Sequence, residues 1–154
     1  MIDAVAKFIA TAAYVGFVPV APGTFGSMAG LLVYGAVRVS GSAAVEAAAI
    51  VLARVAGLWS AGVVERLLGN DPGPVVIDEV LGMLVTLAFL DVNPIGAVVG
   101  FFVFRVLDVV KPFPAGRLEH LHGGAGIMLD DAMAAVYGNL IMRGLIGVLP
   151  GVLA

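Results

Sequence analysis

The chain has no cysteine. That absence removes thiol nucleophiles, phosphocysteine intermediates, disulfides and thiolate metal sites. Charge is also scarce: Asp, Glu, Lys and Arg make up 12% of the 154 residues, against about 25% in ordinary globular chains. With eight Lys and Arg, eleven Asp and Glu, a net charge of −3 and no basic run, nucleic acid is excluded as a partner. Repeats, low-complexity segments and long linkers are lacking too, so the chain reads as one domain over residues 1–154.

What is present is apolar. Hydrophobic residues reach 61% and the mean hydropathy is +1.10. A water-soluble domain this small exposes much of its surface and needs more polar cover than these few charges give, whereas a surface facing lipid needs none. The composition therefore predicts a chain embedded in a bilayer. From Phe8 to Val37 there is no charge, but Pro19, Pro22 and Gly23 interrupt the run. A signal peptide is disfavoured because the polar start at Lys7 is weak and the Pro-Gly turn stands where cleavage would fall.

The breaks predict an all-α, compact membrane-embedded bundle of about five to six helices, with polar loops clustered at one face. Helices are expected over Ile2–Val18, Ser27–Val39, Ala43–Leu68, Val75–Leu90, Ile95–Val110 and Ile127–Leu149. Valine-rich runs do not make strands here, because open sheet edges cannot sit in lipid and no set of alternating barrel strands is visible. If each helix reverses the one before, the breaks at Pro19–Gly26, Gly69–Pro74 and Lys111–Gly126 share one side. Ser40–Ser42 and Asp91–Pro94 share the other.

Nearly all the chemistry falls on the first side. Five of the eleven acids stand at helix ends there: Asp78, Glu79, Asp108, Asp130 and Asp131. Acids in a first helical turn complement the helix dipole without any catalytic role. Asp108 has no such explanation at a helix C-terminus, although Arg105, three residues earlier, offers an ion pair. Carboxylates gathered beside a low-dielectric layer repel unless neutralised, and all-oxygen ligands suit Mg²⁺ or Mn²⁺. Neighbours on a helix diverge by about 100°, so one member of each acidic pair is expected to ligate while the other orients Lys111, Arg105 or water. His120 and His122 are spaced i, i+2 and make a poor metal pair.

Phosphate-binding parts surround the acids. Pro22-Gly23-Thr24-Phe25-Gly26-Ser27 is a Gly-rich turn entering a helix, with the Thr24 and Ser27 hydroxyls suited to an anion. His122-Gly123-Gly124-Ala125-Gly126 is a second such loop leading to Asp130. Arg105, Lys111 and Arg117 can neutralise phosphate oxygens, and equally can anchor the cytoplasmic side. No Walker loop is present, nor the Asp-x-Asp signature of haloacid-dehalogenase phosphatases.

Four segments together resemble the phosphatidylglycerophosphatase A family. Pro22-Gly23-Thr24-Phe25-Gly26-Ser27 is similar to its P-G-T-x-G-S loop, and Asp78-Glu79-Val80-Leu81-Gly82-Met83 to its D-E-x-x-G-M segment. Phe104 to Pro114 resembles F-R-x-x-D-x-x-K-P-x-P, and His122 to Asp131 resembles H-G-G-x-G-I-M-x-D-D. The segments occur in the family's order over about residues 21–140. Ala134-Ala135-Val136-Tyr137 departs mildly from an expected A-G-V continuation.

The resemblance implies a multi-pass enzyme of the bacterial inner membrane, with its site facing the cytoplasm. Such an enzyme removes the terminal phosphate of phosphatidylglycerophosphate with Mg²⁺, giving phosphatidylglycerol. The expected catalytic residues are Asp78, Glu79, Asp108, Lys111, Asp130 and Asp131. The metal is assigned to Glu79, Asp108 and Asp131, with Asp78 and Asp130 as alternatives within their pairs. Phosphate would meet Thr24, Ser27, Arg105, His122, Gly123 and Gly124. Direct attack by water and an aspartyl-phosphate route both remain open. The competing readings are a phosphatase for another lipid or isoprenoid phosphate, and a carrier with an acid-lined ion path. A carrier should hold its acids near the membrane midplane rather than at helix ends.

Overall fold

The computed structural model describes residues 1–69, 72–113 and 124–154, with the side chains of 124–127, 129 and 130 outside the description. The described residues form seven α-helices and a short 3₁₀ turn, and no strand: α1 Ile2–Ala10, the turn Val15–Phe17, α2 Pro22–Arg38, α3 Ala43–Leu68, α4 Ile77–Thr86, α5 Pro94–Val110, α6 Gly124–Val148 and α7 Pro150–Leu153. The six expected helices are present, joined by α7 after Pro150.

Where a cap is readable, the boundary follows it. Ser42 starts α3 by accepting the Val45 N–H through Oγ at 3.4 Å, and Gly69, at φ 103°, ends it. Asn93 starts α5 by accepting the Gly96 N–H at 2.9 Å, ahead of Pro94.

Three expected boundaries need correction. The first helix stops at Ala10, not Val18. Thr11 Oγ1 donates to the Lys7 carbonyl at 2.7 Å and accepts the Tyr14 N–H at 3.0 Å, while Ala12, Ala13 and Tyr14 are all left-handed. The second helix begins at Pro22 rather than Ser27. Proline lacks the N–H that a first helical turn leaves unused, so the Pro-Gly pair opens α2 instead of preceding it. The fourth spans only Ile77–Thr86, because left-handed Phe89 turns the chain after it.

Helix α4 is the axis of the fold. It packs on α2, α3, α5 and α6. Its buried residues Met83, Leu84 and Thr86 adjoin Leu87, Phe104 and Met142 in a core with less than 2% exposure. Two glycines permit the close approach: Gly30 of α2 lies against Val80 and Met83, and Gly82 of α4 receives the ring of Phe104.

Opposite ends of the bundle carry different groups. At one end Arg38 pairs with Asp91 at 2.8 Å, joining the breaks around residues 40 and 91. Nearby, the Asn93 N–H donates to the Leu153 carbonyl at 3.0 Å. At the other end the Val76 N–H donates to the Ala10 carbonyl at 2.9 Å, beside the start of α4. The flanks between are apolar and exposed, including Leu32 on α2, Leu52 and Val55 on α3, and Phe102 and Val106 on α5. Among the described residues α3, with 26 residues, is the helix long and apolar enough to cross a membrane.

Candidate active site

The first turn of α4 lifts Asp78 and Glu79 toward α6, which presents Asp131. The placement suits a helix N-terminus, where backbone N–H groups favour negative charge, and Asp78 Oδ1 accepts the Glu79 N–H at 3.1 Å. One oxygen from each of Asp78, Glu79 and Asp131 lies within 4.8 Å of the other two. Asp131 is buried at 4% exposure, and the Glu79 side chain is exposed by 13%.

Three acids so placed are electrostatically expensive. Burial, and after it the Glu79 charge and a bond that the Asp78 carboxyl donates to the Glu79 side chain, with Asp131 adding less, hold Asp78 well above the usual carboxylate range. Burial raises Glu79 as well. Asp108 adds to that shift, while the bond to Asp78 and the Arg105 charge oppose it.

A basic and hydroxyl-bearing wall stands beside the acids. Arg105 Nη1, on the last turns of α5, lies 2.5 Å from Asp108 Oδ2 and 3.9 Å from Glu79 Oε1. The same nitrogen is 3.4 Å from Ser27 Oγ. Ser27 is fully buried, and its hydroxyl donates to the Gly23 carbonyl at 2.9 Å. Gly23 is where α2 meets this wall: a Cβ there would strike Glu79 Oε1 and lie 3.2 Å from both terminal nitrogens of Arg105.

The acids fit a divalent cation. Glu79 Oε2 is buried and has no hydrogen-bond partner among the described residues. Oxygens sharing one Mg²⁺ at about 2.1 Å can be no more than about 4.2 Å apart, so the three carboxylates need draw together only slightly. A donor set of carboxylates alone selects hard ions.

The expected residues fall into three groups. Asp78, Glu79 and Asp131 come together. Both members of the first pair reach the same point, although neighbours on a helix diverge, because each contributes one oxygen from a flexible carboxyl at the helix mouth. Asp108, expected among the ligands, lies next to that trio with its carboxyl on Arg105. Arg105, Ser27 and Thr24 are in the first turns of α2 or the last of α5, and Lys111 caps α5 with its N–H on the Leu107 carbonyl at 2.8 Å. Gly124 opens α6. His120, His122, Gly123 and Arg117 lie outside the described residues, as does the side chain of Asp130.

Sequence reading passed over Asn139 and Arg143. Both sit on α6, and their spacing of four residues in an otherwise apolar helix was the available signal, since polar groups in such a setting usually have a partner.

The sequence profile of the family described as Phosphatidylglycerophosphatase A matches residues 8–146. A Bacteroides thetaiotaomicron protein named putative phosphatidylinositol-3-phosphatase is 34% identical, covering 82% of this chain and 84% of its own. An Escherichia coli protein named phosphatidylglycerophosphatase A is 34% identical over 79% of this chain and 72% of its own. A Haemophilus influenzae protein of the same name is 33% identical over 82% and 80%. No solved structure matches.

Proposed function

The chain belongs to the phosphatidylglycerophosphatase A family and is a phosphatase, and from that premise we propose that it removes the terminal phosphate monoester of phosphatidylglycerophosphate, using a divalent cation at the bilayer surface. The observation that carries this reading is the convergence of Asp78, Glu79 and Asp131 beside the Arg105 guanidinium. A phosphate monoester needs that combination: cation-holding carboxylates on one side and a fixed positive donor on the other.

The ion is Mg²⁺, with Mn²⁺ as substitute, held by Asp78, Glu79 and Asp131. When bound, it polarises the phosphoryl group and stabilises the charge that develops there. Arg105 donates to the nonreacting phosphate oxygens, and Asp108 keeps its planar fork in position. Thr24, Lys111, His122, Gly123 and Gly124 are the further groups assigned to the phosphate. A carboxylate not engaged by the ion, such as Asp130, takes the proton of the attacking water.

The whole chain serves as one membrane-embedded unit, multi-pass, with this site toward the cytoplasm of a bacterial inner membrane. Exposed apolar flanks on α2, α3 and α5 support that placement, because a patch of this kind in water would drive aggregation. Helix α3 supplies a full crossing. The 17-residue α2 and α5 rise only about 25 Å and make a thin bundle. At ten residues, α4 is shielded inside the bundle and does not cross.

A second substrate is favoured by one observation: the Bacteroides relative is named for a phosphoinositide. Purified protein should be given phosphatidylglycerophosphate, phosphatidylinositol-3-phosphate, phosphatidic acid and a water-soluble phosphate ester. Release of phosphate from the first, abolished by EDTA and restored by Mg²⁺, is expected. Preference for the inositol lipid would change the substrate, and full activity in excess chelator would remove the metal.

A further inference from the structure

Helix α4 ends at Thr86, well short of its neighbours, and its last carbonyls need donors from elsewhere. Backbone N–H groups of Leu87 and Ala88 reach the carbonyls of Met83 and Val85, and one side chain adds donors to three carbonyls at once. Asn139 Nδ2, on α6, lies 3.2 Å from the Val85 carbonyl, 3.1 Å from that of Thr86 and 3.0 Å from that of Ala88. Its Oδ1 accepts from Arg143 Nε at 2.9 Å, and Arg143 Nη2 reaches the Ala88 carbonyl at 3.5 Å. This network fixes the amide's orientation, since the reversed amide would set its oxygen against three carbonyls. Next to it, Gly138 lies so close to Thr86 that a Cβ would come within 3.1 Å of its side chain.

The two helices joined here also carry the acids. Glu79 precedes Thr86 by seven residues along α4, a rise of about 10 Å, and Asp131 precedes Asn139 by eight along α6, about 12 Å. Helices α4 and α6 run in the same sense, both leading away from the site, α4 from Asp78 and Glu79 and α6 from Asp131. Any slip of α4 along α6 at Asn139 is therefore a change in the separation of Glu79 from Asp131. Apolar packing between them is non-directional and sets that register less sharply than hydrogen bonds do. Three converging carbonyls can be matched at one register only.

We propose that Asn139 is a positioning residue for the cation: by clamping the end of α4 it sets the spacing of Asp78 and Glu79 from Asp131. This rests on the reading of those three acids as the cation's ligands. Asn139 touches neither substrate nor ion, and acts at a distance through two rigid helices.

The test uses Mn²⁺ alone, titrated into the full-length protein in detergent and read by the loss of free Mn²⁺ signal in electron paramagnetic resonance. Asn139→Leu keeps the approximate volume and removes every hydrogen bond. Asn139→Ser keeps one donor and stands in if the leucine variant does not fold. The dissociation constant for Mn²⁺ should rise about tenfold in either. Leu153→Ala, buried against α5 at the end of the bundle away from the acids, serves as a destabilised control and should lower the number of sites occupied without moving the constant. A constant within twofold of the native protein in a folded Asn139 variant would overturn the inference while leaving the metal reading intact. No Mn²⁺ binding by the native protein would overturn both.

Discussion

Arg105 Nη1 lies 2.5 Å from Asp108 Oδ2, one turn along the same helix, and it is the Asp108 carboxylate that aims the guanidinium toward α4. Both side chains are mostly buried, at 19% and 12% exposure, so water screens the pair less than an ordinary surface bridge. The proposed function gives the acid that stands against the dipole of α5 a purpose beyond stability.

Asp108→Asn tests that purpose. Phosphate release should fall by two to three decades, a loss of about 3–4 kcal/mol of transition-state stabilisation, in a protein that remains folded by circular dichroism. If Asp108 acts through Arg105, excess Mg²⁺ does not restore the rate. Recovery at high Mg²⁺ would return Asp108 to the ligand set, and near-native turnover would take it out of the site.

Gly23→Ala should separate stability from activity. Alanine favours a helix over glycine by about 1 kcal/mol, so the first turn of α2 gains. The new methyl group, however, strikes Glu79 Oε1 and crowds Arg105. Activity should drop at least tenfold at unchanged or raised melting temperature. Native turnover would show that the α2 turn stands clear of the reacting phosphate.

The raised affinity of Asp78 and Glu79 for protons makes metal-free stability depend on pH. Each group binds its proton more tightly folded than unfolded, so its stabilisation is complete below the ordinary carboxylate range and is lost as pH rises through the folded value. In EDTA the melting temperature should therefore decline from the acid side toward neutrality, against whatever the other acids contribute. Mg²⁺ should oppose the decline, so the gap between the two curves widens with pH. Parallel curves in thermal melts with and without Mg²⁺ would contradict the cluster's role.

Topology can be read with single cysteines, since the chain has none of its own. Cysteine at Gly73, next to the start of α4, should react with an impermeant reagent only from the cytoplasmic side. Cysteine at Ser40, at the Arg38–Asp91 end, should react only from the other. Labelling of both from one side would rule out the crossing arrangement.

The parts of this fold legible in the sequence are those decided locally. Ser42 and Asn93 announce α3 and α5 because a cap is a contact between near neighbours. The left-handed run Ala12–Tyr14 was not legible, for alanine carries no sign of it. That bend lets the Ala10 carbonyl meet the Val76 N–H, a contact between residues far apart in sequence. The site was legible as to residue type, since acids at helix ends in so apolar a chain stand out. Which oxygens meet was not. That depends on how far α6 lies along α4, and Asn139 with Arg143 four residues on marks a partnered pair in α6 without naming its partner on α4.

The ring of Phe104 in the notch of Gly82 lies one residue before Arg105 on one helix and three after Glu79 on the other. A ring seated in a notch resists translation along either axis but tolerates tilting. Relative motion of α5 and α4 is thereby reduced to rocking about that point. The short lever arm from Phe104 to Arg105 turns a tilt of several degrees into a displacement of a fraction of an ångström. In the proposed reaction the guanidinium would then follow a phosphate as it flattens in the transition state without withdrawing from it.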